Sequence, residues 1–440
     1  MYRTGLEELR AWRKKKDRLP LILRGARQVG KSWLVEEFGR LDFKNIVKVN
    51  FEKTPSVSTV FNEDISPKRI IRFLEISTNE KISPTDTLIF LDEIQECPRA
   101  LTSLKYFAEE APEYAVIAAG SLLGIAEHEG VSFPVGKVNF MNLFPLSFEE
   151  FLIAMGDENL ASLLNLSEIT MMNAFHNRFE ERLREYMVVG GMPAVVKAWK
   201  ENHFTDEIRR KQEEIVESYL ADLSKHAPAI VAVRSRQIIM SIPSQLAKEN
   251  KKFIYSQVRD GARAKDYESS FPWLSSCRII NTVYRVTTPA IPLKAYEEHS
   301  VFKLFMHDVG LLSALANIDP KIVLEGNSVY DLFKGALTEQ YVLQELIASG
   351  WKNVNYYSND RSTAEIDFIL EAGDSIIPLE VKSGINLRSK SLKTYRDKFS
   401  PELSLRASLM PYKEQDGLIN IPLYATSLII EICKKHGENK

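Results

Sequence analysis

The stretch LILRGARQVGKSWLVEEF, Leu21 to Phe38, sets two glycines, a lysine and a serine between an apolar run and an amphipathic one. Its centre, GARQVGKS, fits the spacing G-x-x-x-x-G-K-[ST], with Gly25, Gly30, Lys31 and Ser32 at the fixed positions. LPLILR ahead of it reads as a short strand, and SWLVEEFG behind it has helical spacing that closes at Gly39. A glycine-rich turn at a helix N-terminus aims backbone N–H groups at phosphate oxygens. The spacing predicts that Gly25, Ala26, Arg27, Gln28, Val29, Gly30, Lys31, Ser32 and Trp33 form the contact with a nucleotide such as ATP. Lys31 would reach the β- and γ-phosphates and Ser32 a Mg²⁺ ion.

A site of this kind needs a carboxylate on the metal side. DTLIFLDEIQECP supplies one: the continuous apolar run Leu88 to Leu91 reads as a strand buried on both faces, and Asp92 and Glu93 follow at its C-terminal end. Asp92 is expected to hold Mg²⁺ and Glu93 to polarise the attacking water. A third strand, YAVIAAGSLLG, ends on Ser121, which would either sense the γ-phosphate and position water or cap a turn.

Composition bounds the rest. The chain has 440 residues, 45% hydrophobic and 26% charged, with a formal net charge of -2. That is ordinary for a soluble globular protein of two to four domains, and the net charge alone does not decide for or against nucleic acid. Cys97, Cys277 and Cys433 lie far apart with no CxxC spacing, which fits a reducing compartment and argues against a disulfide framework or structural zinc. The first residues carry charge but no apolar core, and the longest apolar run, Tyr114 to Ala126, is too short to span a bilayer. A cytoplasmic protein with no membrane association is expected.

GARQVGKS, FLDEIQ, AAGSLLG and then FPLSFEEFL (Phe144 to Leu152) together resemble a group of prokaryotic AAA-superfamily P-loop ATPases, over nearly the whole chain. The resemblance implies an α/β fold, a P-loop AAA-type doubly wound parallel sheet. A helical lid, a winged-helix domain and a restriction-endonuclease-like α/β domain of unknown function would follow it. Many members read Gly-Arg shortly before the PLSF box, where this chain has Gly136-Lys137. A transition-state arginine is therefore missing in that form, and Arg27 is another candidate for contacting phosphate or a neighbouring subunit. Relatives often work as rings, so a homo-oligomer is a further expectation.

Strand and helix signals divide the chain into a P-loop core over 1–145, a helical lid over 146–230, a winged helix over 231–300 and a nuclease-like domain over 301–440. VVGGMPAVV, Val188 to Val196, breaks the helical pattern with Gly190, Gly191 and Pro193, either as a hinge or as a tight turn. Lys248, Lys251, Lys252, Arg259, Arg263 and Lys265 outnumber Glu249 and Asp260, a local excess that would meet phosphates or simply face water.

The second site lies in AEIDFILEAGDSIIPLEVKSG, Ala364 to Gly384. EIDFILE alternates, so Glu365, Asp367, Ile369 and Glu371 share one face. Gly373-Asp374 makes a two-residue turn with glycine where a positive φ is required. Such a turn pairs Ala372 with Ser375 and so sets Asp367 opposite Glu380, with Lys382 on the same face. Cross-strand Cβ atoms lie about 4.5–5.5 Å apart, within reach of a shared Mg²⁺. This is the D…E-x-K constellation of the PD-(D/E)xK nucleases, which the C-terminal domain resembles. Asp367 and Glu380 would bind the metal, Lys382 would orient or deprotonate water, and Glu339, upstream on a helical run, stands where many such nucleases carry another acid. Arg388 to Phe399 adds a basic run. The expected whole is a Mg²⁺-dependent ATPase coupled to a nucleic-acid-binding half, DNA favoured, which either cuts phosphodiesters or keeps the Glu–Lys pair as a salt bridge. The alternative is an ATP-driven switch or scaffold whose C-terminal half binds a partner without catalysis.

Overall fold

A computed structural model describes residues 1–121, 134–325, 331–359, 364–384 and 389–438; residues 122–124 of the third strand motif and Arg388 fall outside them. The chain forms two compact units. One holds residues 2–144 with 272–279, the other residues 145–271 and 280–440.

The first unit is built on β1 (Leu21–Arg24), β2 (Asn45–Asn50), β3 (Thr87–Asp92), β4 (Ala115–Gly120) and β5 (Asn139–Asn142). Every pairing is parallel and the order is β2-β3-β4-β1-β5. The step from β1 to β2 runs across the sheet one way, and those from β2 to β3 and from β3 to β4 run back. Right-handed crossovers then place the helix Lys31–Asp42 on one face and Pro67–Thr78 and Pro98–Glu110 on the other. Burial agrees: Ile22, Ile89, Leu91 and Val116 share one core with Ile70, Leu74, Leu101 and Phe107. All six residues of β3 and of β4 are buried, so both read as unbroken apolar runs rather than alternating ones. Register aligns the strand ends: Arg24 pairs with Gly120, and Ala119 with Asp92. The loop after β1, Ser121 after β4 and Asp92 at the end of β3 therefore share one rim of the sheet.

The second unit begins with helices, among them Phe148–Met155, His176–Val189, Pro193–Asn202, Thr205–His226 and Ala229–Leu246. Its strands are β6 (Ile280–Val286), β7 (Glu297–Met306), β8 (Val354–Ser358), β9 (Glu365–Ala372), β10 (Ser375–Val381), β11 (Ser404–Ser408), β12 (Lys413–Gln415) and β13 (Leu418–Pro422). They form one eight-stranded mixed sheet, ordered β12-β13-β11-β10-β9-β8-β6-β7. The boundary expected at residue 300 therefore cuts through β7. The hairpin assigned to a separate winged helix is continuous with the C-terminal strands, because β6 pairs in parallel with β8 through Arg285 and Val286. The expected turn is present: Gly373 has φ +61, Ala372 pairs with Ser375, and the register runs on to Phe368 and Leu379.

The double glycine is a buried crosslink. Gly190, at φ +72, leaves no room for a side chain: a Cβ there would stand 2.3 Å from Asp308 Oδ1. The Gly191 N–H donates to Asp308 Oδ2 at 2.7 Å, and Asp308 Oδ1 accepts the Leu311 N–H at 3.0 Å, capping the helix Val309–Leu315. Gln344 donates to the Tyr186 hydroxyl at 2.8 Å and accepts from Val309 N at 2.8 Å. Burial pushes the Asp308 carboxyl up to about 6, against the N–H groups that hold it down. The turn reading of VVGGMPAVV is thus the one the contacts satisfy, with Asp308 as a helix cap.

Beside this crosslink Glu345 is buried and accepts the Phe148 N–H at 2.9 Å. Burial pushes its carboxyl from 4.5 up to about 8; the Phe148 N–H opposes the rise, and Glu150 and Glu149 add to it. The folded state thus holds this proton more tightly than the unfolded chain. Its contribution is fully present below the ordinary carboxylate pKa and is lost as pH rises through about 8. Glu345→Gln keeps the acceptor and removes the charge. The variant is expected to be about 2–4 kcal/mol more stable than wild type at about pH 9, with little difference at about pH 4. Urea midpoints across that range test it.

Candidate functional site

Gly25 opens the loop because nothing larger fits: a Cβ there would lie 2.4 Å from Leu143 O. The chain turns through Gln28 at φ 66 and Gly30 at φ 93 before the helix starts at Lys31. Ala26 and Val29 face inward, Arg27 is half-buried, and Gln28 and Trp33 are exposed. Arg3, itself buried, donates to Val29 O at 2.9 Å and Phe144 O at 2.6 Å and so holds the loop from behind.

Lys31 is buried, and its Nζ donates to Gly25 O at 3.0 Å and Ala26 O at 2.8 Å. Burial pushes its pKa down to about 8, although Glu93 and Asp92 pull it up. The Ser32 hydroxyl lies 3.0 Å from both carboxylate oxygens of Asp92. Asn50 Nδ2 donates to Asp92 Oδ2 at 3.2 Å, and Lys48 Nζ pairs with the same oxygen at 3.0 Å while reaching Glu36 at 2.5 Å. Glu93 leaves the strand in the left-handed region, φ 51 and ψ 47, and accepts from Gln95 Nε2 at 2.7 Å. Ser121 is buried just beyond β4. The structure thus brings Lys31, Ser32 and Asp92 together as the spacing predicts. Sequence reading missed Lys48 and Asn50. They alternate on one side of β2, and the parallel register sets Asn50 against Asp92. Lys137 pairs with Glu109 at 3.1 Å on the surface.

Hard oxygen donors from Ser32 and Asp92, already 3.0 Å apart, fit a magnesium ion; Ser32 Oγ and the Asp92 carboxylate would hold it.

In the second unit Glu339, Asp367, Glu380 and Lys382 also meet, but in company. Asp367 accepts the Val381 N–H at 2.8 Å, and Glu380 Oε1 accepts from Ser389 Oγ at 2.9 Å and pairs with Lys382 at 2.7 Å. Lys251 pairs with Glu339, and the fully buried Lys303 pairs with Glu365 at 2.6 Å and lies 3.7 Å from Glu339. Burial, then Glu339 and Glu380, raise the Asp367 carboxyl well above the usual range. Burial also pushes Glu339 up, but Lys251 and Lys303 outweigh it and bring its pKa down. Four carboxylates (Glu339, Glu365, Asp367, Glu380) thus meet three lysines (Lys251, Lys303, Lys382), and burial favours the neutral form of Asp367. Among the described residues no group of three His, Cys, Asp or Glu is arranged to hold a metal ion. The expected magnesium at Glu339, Asp367 and Glu380 does not fit this arrangement, because lysine ammonium groups supply the positive charge, and Lys382 is bonded to Glu380. Lys251, expected with its basic neighbours to meet phosphates or face water, instead turns inward onto Glu339, and Lys303 had no signal in the sequence, since it lies far along the chain from the acids it serves.

A parallel sheet with a phosphate-binding loop, a buried lysine and a serine–aspartate pair at one rim defines a P-loop ATPase. Comparison with protein families agrees: residues 17–152 match the AAA domain, so the protein carries a P-loop AAA ATPase domain and is an ATPase. Residues 180–322 and 334–425 match two domains of unknown function, DUF8612 and DUF4143. No curated protein sequence gives a significant match. Among solved structures, the Walker-type ATPase of Pyrococcus abyssi is similar at 16% identity and TM-score 0.45, over 70% of this chain and 94% of that one. The ORC1 protein of Aeropyrum pernix, solved in complex with DNA, has 11% identity and TM-score 0.27, over 71% and 90%. Cdc6p from Pyrobaculum aerophilum has 13% identity and TM-score 0.24, over 73% and 93%.

Proposed function

We propose that Mg²⁺-dependent ATP hydrolysis in the first unit drives or gates nucleic-acid binding, DNA favoured, by the second. The ATPase arm rests on the Ser32–Asp92 pair beside Lys31. The loop N–H groups and Lys31 bind the phosphates, Ser32 and Asp92 orient the metal side, and Glu93 takes the proton of the attacking water. When bound, magnesium neutralises phosphate charge. Lys48 adds a fixed cation at Asp92 and repels the metal. Lys48→Met is therefore expected to lower half-saturating Mg²⁺ for ATP turnover about three- to tenfold, with Lys48→Arg close to wild type. Equal half-saturation in Lys48→Met and wild type would refute that role.

The nucleic-acid arm rests on the hairpin that sets Asp367, Glu380 and Lys382 on one face, the pattern of a nuclease-like fold. The short helices Tyr255–Val258 and Ala264–Tyr267 ahead of the β6–β7 hairpin support a winged-helix element whose strands are built into the larger sheet. Lys382 bonded to Glu380 favours binding without cleavage over phosphodiester hydrolysis. The three cysteines are free and buried, which supports a reducing, cytoplasmic setting. No helix among the described residues is long and apolar enough to cross a membrane.

Two assays on the purified chain test the reading: ATP turnover with and without DNA, and DNA integrity with Mg²⁺ or Mn²⁺ for wild type and Asp367→Asn. Stimulated turnover without cleavage is expected. Cleavage lost in Asp367→Asn would establish the nuclease instead, and turnover indifferent to DNA would remove the coupling.

A further inference from the structure

On the second unit, a cavity of about 530 Å³ opens between the helix Lys390–Phe399 and the sheet strands β11 and β13. Ser389, Lys393, Arg396 and Asp397 line it from the helix side at spacings of three and four residues, which places them on one face. Arg406 closes it from β11. Three cations thus meet one carboxylate. Arg396 donates to the Asp416 carbonyl, and among the described residues neither Lys393, Arg396 nor Arg406 forms an ion pair. Among the described residues Arg406 Nε is buried with no hydrogen-bond partner. An anion in the cavity would give these guanidinium and ammonium groups a charge-assisted partner.

The cavity shares two walls with the carboxylate–lysine cluster. Arg406 is the register partner of Glu380 on the neighbouring strand, and Ser389 donates to Glu380 Oε1 at 2.9 Å. An anion seated here would lie beside the D…E-x-K face rather than on it. Leu392, Pro401 and Leu418 offer a base or sugar apolar contact, and Ser400 completes the lining. We infer that this cavity is a phosphate subsite for a nucleic-acid backbone, held by Lys393, Arg396 and Arg406 and bound without sequence preference. It deepens the nucleic-acid reading proposed above and depends on it.

The test is fluorescence anisotropy of a short labelled DNA oligonucleotide with the full chain, in EDTA so that no cleavage intervenes, over a salt series. Lys393→Ala with Arg406→Gln is expected to weaken binding about tenfold at low salt and to flatten the salt slope by about one to two. Asp397→Asn, which removes the one carboxylate in the lining, is expected to tighten binding about two- to fivefold, a gain that damaged folding would not produce. Wild-type protein that binds no DNA would sink the nucleic-acid reading and this subsite with it. Wild-type binding with affinity and slope unchanged in the double variant would overturn the subsite alone. So would weaker binding by Asp397→Asn.

Discussion

Lys31→Ala is expected to abolish measurable ATP turnover, a fall of at least about 10²–10³-fold in kcat. The Lys31 ammonium donates to the Gly25 and Ala26 carbonyls, two partners without formal charge, and burial pushes its pKa down to about 8. A phosphate brought to the same place would be a far stronger partner, since a charge-assisted bond outweighs a neutral one. Burying the lysine thus carries a cost that a bound phosphate would recover. Its removal takes a positive charge from where negative charge is transferred, and it removes little that the fold requires. Melting temperature without nucleotide should therefore change little, while the rise in melting temperature produced by Mg-ATP should vanish. Turnover equal to wild type would remove Lys31 from the mechanism and, with it, the assignment of the loop.

Gly190→Ala is expected to cost about 3 kcal/mol or more, enough to deplete soluble protein. Two penalties combine. The position sits at φ 72 and ψ −169, a region essentially reserved for glycine, where an L side chain is strained by about 1–3 kcal/mol. The new methyl would also press on Asp308 Oδ1 at 2.3 Å and on Gly310 N at 2.8 Å. Asp308 cannot yield without releasing the Gly191 and Leu311 N–H groups, and both are buried with it. Gly156→Ala lacks the steric penalty: at φ 88 and ψ 18 it has nothing within 4 Å, so only the milder strain of the left-handed helical region applies. Thermal melting of the two variants side by side should show a much larger loss for Gly190→Ala, and equal losses would refute the crosslink.

The sequence disclosed what is encoded over short spans. GARQVGKS specifies its own turn, because the lysine and serine must follow the glycines directly. The β9–β10 hairpin could be read to the residue, because a two-residue turn leaves one register open and glycine at φ +61 selects it. Pairings over long spans were illegible. Arg285 and Val286 meet Tyr356 and Tyr357 some seventy residues on, and alternation in RIINTVYRV identifies a strand without naming its neighbour. The lysines in the acidic cluster escaped for the same reason. Lys251 lies in a loop and Lys303 in a strand that reads as apolar around it, so nothing local announces that either neutralises Glu339. Lys48 and Asn50 were within reach: their alternation on β2, once that strand is set against β3, puts them at Asp92.

The Arg3 clamp has a practical side. A purification tag fused at the amino terminus would attach two residues from the guanidinium that braces Val29 and Phe144. Steric drag or proteolytic trimming there would slacken the cradle from behind and mimic an inactive enzyme. Rates are best measured on protein tagged at its other end, with the first turn of the chain left as it is.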